Sequence, residues 1–263
     1  NRSARRASRA TDPPLATNIW QLKGLRVDKI EFDGVTFASN DALPGELAQQ
    51  AGQPLDPQKV RDSVRRLFAS GRYRDIGVRS VRSGDAVTLI FAGVARYYVG
   101  RVVIEGIKED RLTSLAEYGT KLQPGTAITE GEVDAGIEGI KQVLAQNGYY
   151  QPTVTLKRSR DTANQQVNAT YTVALGPQAR VGKVVVEGQD AGLTEAQFRK
   201  KAKLKRRSKV TRETTSNALT QLRAQYQKKD RLEATVTMQK QTYDAPRKEL
   251  DYLFAANQGP VVK

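Results

Sequence analysis

The residue types that most often carry catalysis are missing from this chain. Its 263 residues include no His and no Cys. Without His, the commonest general base and metal ligand are gone. Without Cys there is no thiolate nucleophile and no disulfide. The carboxylates do not fill the gap. Asp56 and Glu132 stand where helices are expected to start, and the others alternate with Lys and Arg, so no acid–base pair emerges. These absences rule out most nucleophile–base triads and zinc sites, and no cofactor or metal is expected.

What the composition offers instead is positive charge. Lys and Arg number 43 against 28 Asp and Glu, a formal net charge of +15. Such an excess points to an anionic partner: nucleic acid, a membrane surface or an acidic protein. The charge is concentrated. Residues 189–231 hold 13 Lys and Arg against four Asp and Glu, which is +9 of the +15. In this stretch Lys200, Lys201, Lys203, Lys205, Arg206, Arg207 and Lys209 are candidate contacts for anionic lipid headgroups, at roughly 1 kcal/mol per basic residue near the surface. The plainer reading is a solvated helix face. The rival partner is nucleic acid, which would call for a basic face in every part of the chain. Tyr97, Tyr98, Tyr149 and Tyr150 could stack on bases, but their places at linkers and strand entries favour packing between helix and sheet. "GIEG" at 136–139 has the spacing of the RNA-binding loop of KH domains. That loop lies between helices, and this one falls inside a helix, so no RNA role follows.

The elements that must position these residues occur three times. "VDKIEFDG" (27–34), "VGRVVIEG" (99–106) and "VGKVVVEG" (181–188) are β-branched runs that each end on glycine. Gly34, Gly106 and Gly188 are expected to close strands, through close packing or positive φ. A short helix is expected after each, at about 41–51, 109–118 and 194–204. A second helix then starts at the N-caps Asp56, Thr129 and Thr211, with apolar Leu55, Ile128 and Val210 just before them. Four residues after the cap stand Val60, Val133 and Thr215; eight after, Val64, Ile137 and Leu219; eleven after, Leu67, Ile140 and Leu222. Those steps keep one helix face toward a core. Gly131, Gly136 and Gly139 lie within the second of these helices, either as weak points or as places of close approach. Gly71 and Gly148 suit the left-handed position past a helix end, whereas Asp230 stands there in the third copy. Paired extended runs follow, the last of them alternating Leu232, Ala234, Val236 and Met238 with polar residues.

The order strand, helix, helix, strand, strand, the glycine closing the first strand, and "GYY" (148–150) after the second helix resemble POTRA (polypeptide-transport-associated) domains of the outer-membrane assembly and translocation family, the BamA/TamA-like group. The likeness covers roughly residues 24–263 and is strongest over "LQPGTAITEGEVDAGIEGIKQVLAQNGYYQPTVTL". The third copy departs from it at Asp230 and Leu232. The expected fold class is α+β: three tandem small βααββ domains, each a three-stranded mixed sheet with two helices on one face, at 24–96, 97–178 and 179–263. A disordered basic lead is expected at 1–23, and "GPVVK" (259–263) reads as the start of a further linker.

The resemblance implies a chain that is not an enzyme, in the periplasm of a Gram-negative bacterium. The implied partners are unfolded outer-membrane proteins or partner lipoproteins, and a C-terminal β-barrel of the same protein. It further implies sheets with the third strand central and the second at an edge, where backbone groups can take an extra strand from a client. Candidate client-binding residues are Ile76, Val78, Val154, Leu156, Thr235, Val236 and Thr237. The alternatives are a basic nucleic-acid-binding α+β repeat protein and a self-associating secretion-ring subunit.

Overall fold

The computed structural model describes residues 18–188, 194–227 and 234–257. The acidic and basic residues counted above at 190 and 228–231, Leu232, "GPVVK" and the lead up to residue 17 lie outside the described residues. The first repeat is β1 (Arg26–Asp33), α1 (Pro57–Ala69), β2 (Tyr73–Ser83) and β3 (Ala86–Ala95). The second is β4 (Tyr97–Glu105), α2 (Asp110–Gly119), β5 (Ala127–Ile128), α3 (Glu130–Gln146), β6 (Thr153–Asp161) and β7 (Gln166–Ala174). The third is β8 (Arg180–Gly188), α4 (Glu195–Ala202), α5 (Arg212–Gln227), β9 (Thr235–Asp244) and β10 (Glu249–Asn257).

The sheets run β1-β3-β2, β5-β4-β7-β6 and β8-β10-β9, so the third long strand lies between the first and second in each repeat. The first strand pairs parallel and the second antiparallel to it in the first and third repeats. The middle sheet gains a fourth, two-residue strand, β5, antiparallel to β4. The chain packs as two compact units. One holds the described residues up to Gly100 with Gly125–Ile128 and Ser159–Asn168; the other holds Arg101–Pro124, Thr129–Arg158 and the described residues from Ala169 onward.

Two expectations need correction. The stretch at 41–51 is only a 3-10 turn, Leu43–Glu46, because Pro44 and Gly45 sit in its middle. Of the expected lead, residues 18–23 are described, and they are folded. Ile19–Leu22 form a 3-10 turn capped by the Asn18 side chain, and Leu22, 2% exposed, joins the first core. Two apolar side chains three residues apart anchor a segment whose polarity suggests a tail.

The helix skeleton sets the cores. Leu67, Ile140 and Leu222 are fully buried, whereas Val64, Ile137 and Leu219 are half-buried at the helix margin. Truncating a fully buried Leu or Ile to Ala costs about 2–5 kcal/mol. The residue seven past each cap, Ser63, Gly136 or Ala218, is small and buried. On the central strands a buried aromatic recurs: Phe91, Tyr171 and Phe254. At Gly136 a Cβ would come within 2.4 Å of the Tyr171 hydroxyl, which donates to the Val133 carbonyl at 2.6 Å. The small position lets helix and ring approach.

Gly34, Gly106 and Gly188 have φ of +88°, +90° and +89°. A Cβ at each would sit 1.8, 2.1 and 2.6 Å from the carbonyl oxygens of Gly93, Val173 and Ala256 on the central strands. Both reasons for glycine hold at these three positions.

Candidate functional site

Two features could meet a partner: the edges of the sheets and the basic loop of the third repeat. Among the described residues, β2, β6 and β9 each end their sheet. Ile76 and Val78 on β2 are half-buried against the first core. Val154 and Leu156 on β6 are half-buried and alternate with exposed Thr153, Thr155 and Lys157. On β9, Val236 is fully buried while Thr235 and Thr237 are exposed. The apolar candidates therefore hold each edge strand down, and what the edge presents outward is backbone and a face rich in Thr and cations.

The edges are not equally regular. From Asp75 to Ser83, β2 pairs with β3 without interruption, after one irregularity between Tyr73 and Asp75. On β9 the register slips between Met238 and Lys240. The opposite edges, β1 and β8, are bulged, with register shifts at Val27/Lys29 and opposite Leu250/Tyr252. At the β8 bulge the Lys183 amide donates to Asp251 Oδ1 at 2.7 Å, and Arg199 donates to the Gly182 carbonyl at 2.7 Å. Those backbone groups are consumed within the repeat, which closes that part of the edge to an added strand.

The basic loop joins α4 to α5. Lys200, Lys203, Lys205, Arg206, Arg207 and Lys209 are exposed and Lys201 is half-buried. The backbone that carries them is held at several points. Leu204, 1% exposed, plugs the third core. The Arg207 amide donates to the Val181 carbonyl at 3.1 Å, Val181 N to the Ser208 carbonyl at 2.9 Å, and Val210 N to the Ala179 carbonyl at 2.9 Å. Lys203 and Arg207 both have positive φ, 56° and 60°. The cations project from a fixed frame.

The tyrosines pack rather than stand free. The Tyr98 hydroxyl donates to the Gly71 carbonyl at 2.8 Å. Gln165, in the turn between β6 and β7, donates through Nε2 to the carbonyls of Arg72 and Arg96 at 2.7 and 2.9 Å. Its own carbonyl accepts from Tyr98 N at 2.9 Å. The next linker is held in kind: Arg180 N donates to the Lys248 carbonyl at 3.0 Å, and Gln178 Nε2 donates to the carbonyls of Asn147 and Val210 at 3.2 and 2.9 Å. Tyr150 stacks on Tyr243 at 4.6 Å between ring centres. The turn between β9 and β10 also holds Arg247, whose guanidinium binds Asp244, Glu249 and Asp251. The Asp244 carboxyl lies below its ordinary range, first because the Arg247 amide donates to it and second through that guanidinium. The sequence reading missed Gln165, Gln178, Arg180, Arg247 and Lys248. The available signal was that Gln165 and Lys248 occupy the same place in two homologous hairpin turns.

The family model for POTRA, described as "surface antigen variable number repeat", matches three times, at residues 25–92, 97–176 and 179–257. The outer membrane protein assembly factor BamA of Nitratidesulfovibrio vulgaris is 20% identical over 166 residues, which are 63% of this chain and 21% of that protein. The chain thus matches about a fifth of that relative's length. Among solved structures, the crystal structure of POTRA domains 3–5 of Haemophilus influenzae BamA is 15% identical with a TM-score of 0.39, covering 88% of this chain and 96% of that one. The N-terminal domain of Omp85 from Thermosynechococcus elongatus is 14% identical with the same TM-score, covering 88% and 96%. With three matches that together span most of its length, the chain belongs to the POTRA family.

Proposed function

We propose that the chain is a non-catalytic periplasmic scaffold made of three POTRA domains, at 24–96, 97–178 and 179–263, in an outer-membrane protein of a Gram-negative bacterium. It binds unfolded outer-membrane proteins or partner lipoproteins by strand addition and passes them to a C-terminal β-barrel of its parent protein. The observation that carries this reading is the repeated sheet order, which leaves the second long strand with one unpaired side in all three repeats. Strand addition bonds backbone to backbone, so it depends weakly on the client's side chains. That suits a receptor for many β-rich clients. The uninterrupted stretch Asp75–Ser83 makes β2 the preferred edge. The basic loop of the third repeat, Lys200 to Lys209, serves contact with anionic headgroups. Its confinement to one repeat speaks against a nucleic-acid track, which would need basic surface in each.

The test is a synthetic ten-residue amphipathic strand peptide titrated into the isotope-labelled chain. Amide shifts should fall on β2, β6 or β9 and spare β1 and β8. A peptide N-methylated at alternate residues should bind in one parity and fail in the other. Shifts on the bulged edges, or equal binding by both methylated peptides, would sink the strand-addition reading.

A further inference from the structure

The three repeats build the same loop before the second helix, and only the third fills it with cations. In each, the residue just before the first Val of the opening strand forms an antiparallel bridge to the loop: Arg26 to Pro54, Tyr98 to Ala127, and Arg180 to Lys209. In each, an amide two residues before that loop residue donates to a Val carbonyl of the opening strand: Gly52 to Val27 at 2.7 Å, Gly125 to Val99 at 2.8 Å, and Arg207 to Val181 at 3.1 Å. All three donors have positive φ, 83°, 83° and 60°. The matched loops read "QAGQP" (50–54), "QPGTA" (123–127) and "KRRSK" (205–209).

This exchange works against the local structure twice. Arg207 takes a left-handed conformation that its sister repeats give to glycine, where a Cβ is unfavourable. Arg180 and Lys209 are directly opposed. The flanking bonds, Val210 N to the Ala179 carbonyl and Val181 N to the Ser208 carbonyl, make them a non-hydrogen-bonded pair, the geometry in which facing side chains come closest. Like charges so placed repel. Neither Lys209 nor Lys248 forms an ion pair among the described residues, although Lys209 also lines a neighbouring hollow with Glu109 and Glu213; the Arg180 guanidinium donates to the Arg207 carbonyl at 3.3 Å. Arg180, Lys209, Arg247 and Lys248 line one pocket of about 500 Å³, with Tyr149 and Pro177 also on its wall. The carboxylates that bind Arg247 do not line it. Lys248 replaces Gln165 at the hairpin turn, with its backbone kept at positive φ, 55° against 51°.

We infer that this pocket, at the joint of the second and third repeats, is a binding site for a phosphate group. Arg180, Lys209 and Lys248 bring three cations without a carboxylate ion pair among the described residues to one concavity, and an anion with several acceptor oxygens matches them. A bound anion would offset the repulsion between Arg180 and Lys209. The inference deepens the anionic-headgroup reading above and rests on it only for the phosphate's source, a lipid headgroup or a soluble phosphate ester.

The test uses the whole chain and two variants. Lys209→Ala with Lys248→Gln copies the second repeat's own residues, so the fold has a precedent for both. Lys203→Gln, Lys205→Gln and Arg206→Gln remove charge from the loop outside the pocket. Calorimetry with inorganic pyrophosphate and cosedimentation with phosphatidylglycerol vesicles, against phosphatidylcholine, are the two readouts. The parent should bind pyrophosphate, and the pocket variant should bind at least tenfold more weakly. Vesicle binding that pyrophosphate competes away assigns the pocket to a headgroup; pyrophosphate binding without vesicle affinity assigns it to a soluble ester. Pyrophosphate binding undiminished in the pocket variant would overturn the pocket; vesicle binding lost only by the loop variant would then leave the headgroup reading standing. Failure of the parent to bind either probe overturns both, and capture by polyglutamate in that case would point to an acidic protein instead.

Discussion

Three glycines of α3 invite the same substitution with three different outcomes. At Gly131 a Cβ would meet nothing within 4 Å. Gly131→Ala should therefore stabilise the chain by about 0.5–1 kcal/mol, the helix-propensity difference. At Gly136 the Cβ would lie 2.4 Å from the Tyr171 hydroxyl, whose bond to the Val133 carbonyl is buried. The ring end must move, and an orphaned buried polar group costs about 1–3 kcal/mol, more than the propensity gain. At Gly139 the Cβ would lie 2.0 Å from the Gly119 carbonyl oxygen, against an ordinary contact of 3.4 Å or more. No side chain can yield there, so α2 and α3 must part by more than an ångström. Overpacking of that kind costs roughly 1–3 kcal/mol or more. The expected order of stability is Gly131→Ala, parent, Gly136→Ala, Gly139→Ala. Thermal unfolding reads it directly, since 1 kcal/mol moves the midpoint of a domain this size by about 4–8 °C. Hydrogen exchange on α3 amides assigns the change to the second repeat. A Gly139→Ala variant as stable as Gly131→Ala would refute the close helix crossing, and a stabilised Gly136→Ala would refute the fit against Tyr171.

Arg207→Gly restores the residue of the sister loops. It should raise stability by about 0.5–1 kcal/mol, the strain of a non-glycine left-handed residue less the extra chain entropy of glycine. It should also weaken vesicle binding, so melting and cosedimentation ought to move in opposite directions. Glu132 lies below its ordinary value of 4.5 because the Thr129 amide, first, and then its hydroxyl donate to the carboxylate at 2.7 and 2.8 Å. A depressed folded pKa gives stability that is complete above the unfolded value and fades as pH falls through the folded one. The gap in urea midpoint between parent and Glu132→Ala should therefore be open at pH 7 and narrow as the medium is acidified well below 4.5; a constant gap would remove the carboxylate from the cap's energetics. Proline at Thr235 and at Val236, with Val236→Ala as the control for lost burial, should differ beyond what burial explains, because alternate amides of an edge strand point to the neighbour and away from it. Equal unfolding by both, with no excess over the control, would mean that β9 has no free side.

Much of the fold was legible because it is written three times. The cap-and-face skeleton of the second helices, the glycines closing the opening strands and the extended hairpins all appear where the repeated spacing puts them. What was missed depends on long-range partners. No local pattern says that Gly136 faces a tyrosine hydroxyl 35 residues later, although the small residue seven past every cap was there to be read. The helix expected at 41–51 fails at Pro44 and Gly45, where local backbone preference outweighs the repeated pattern. The edge candidates lie on strands that end their sheets, and Ile76, Val78 and Val236 pack into the cores of the first and third repeats. The basic loop was visible as charge. The pocket was not, because Arg180, Arg247 and Lys248 come together with Lys209 only through a bridge and a hairpin turn.

A tandem repeat carries its own control experiment. Where hydrogen bonds hold the backbone of three loops in one conformation, each loop is under the same local demands, and the residues should drift toward whatever that conformation prefers. Two loops do so, with glycine at positive φ and Pro or Ala at the bridge. The third places Arg207 and Lys209 at those positions against conformational preference and against each other's charge. Stability cannot be the reason, since both choices lower it. A solvated face is not the reason either, because exposed neutral residues satisfy the same backbone in the other two repeats. Positions where local consistency fails without a folding benefit are the ones expected to serve binding; Lys209 stands in the pocket wall with Arg180 and Lys248, and Arg207 lies two residues before Lys209 in the same loop. The edges present the complementary case. Their exposed backbone follows from the sheet order itself and is shared by all three repeats, so strand addition would be a property of the fold, and anion binding a property of one copy.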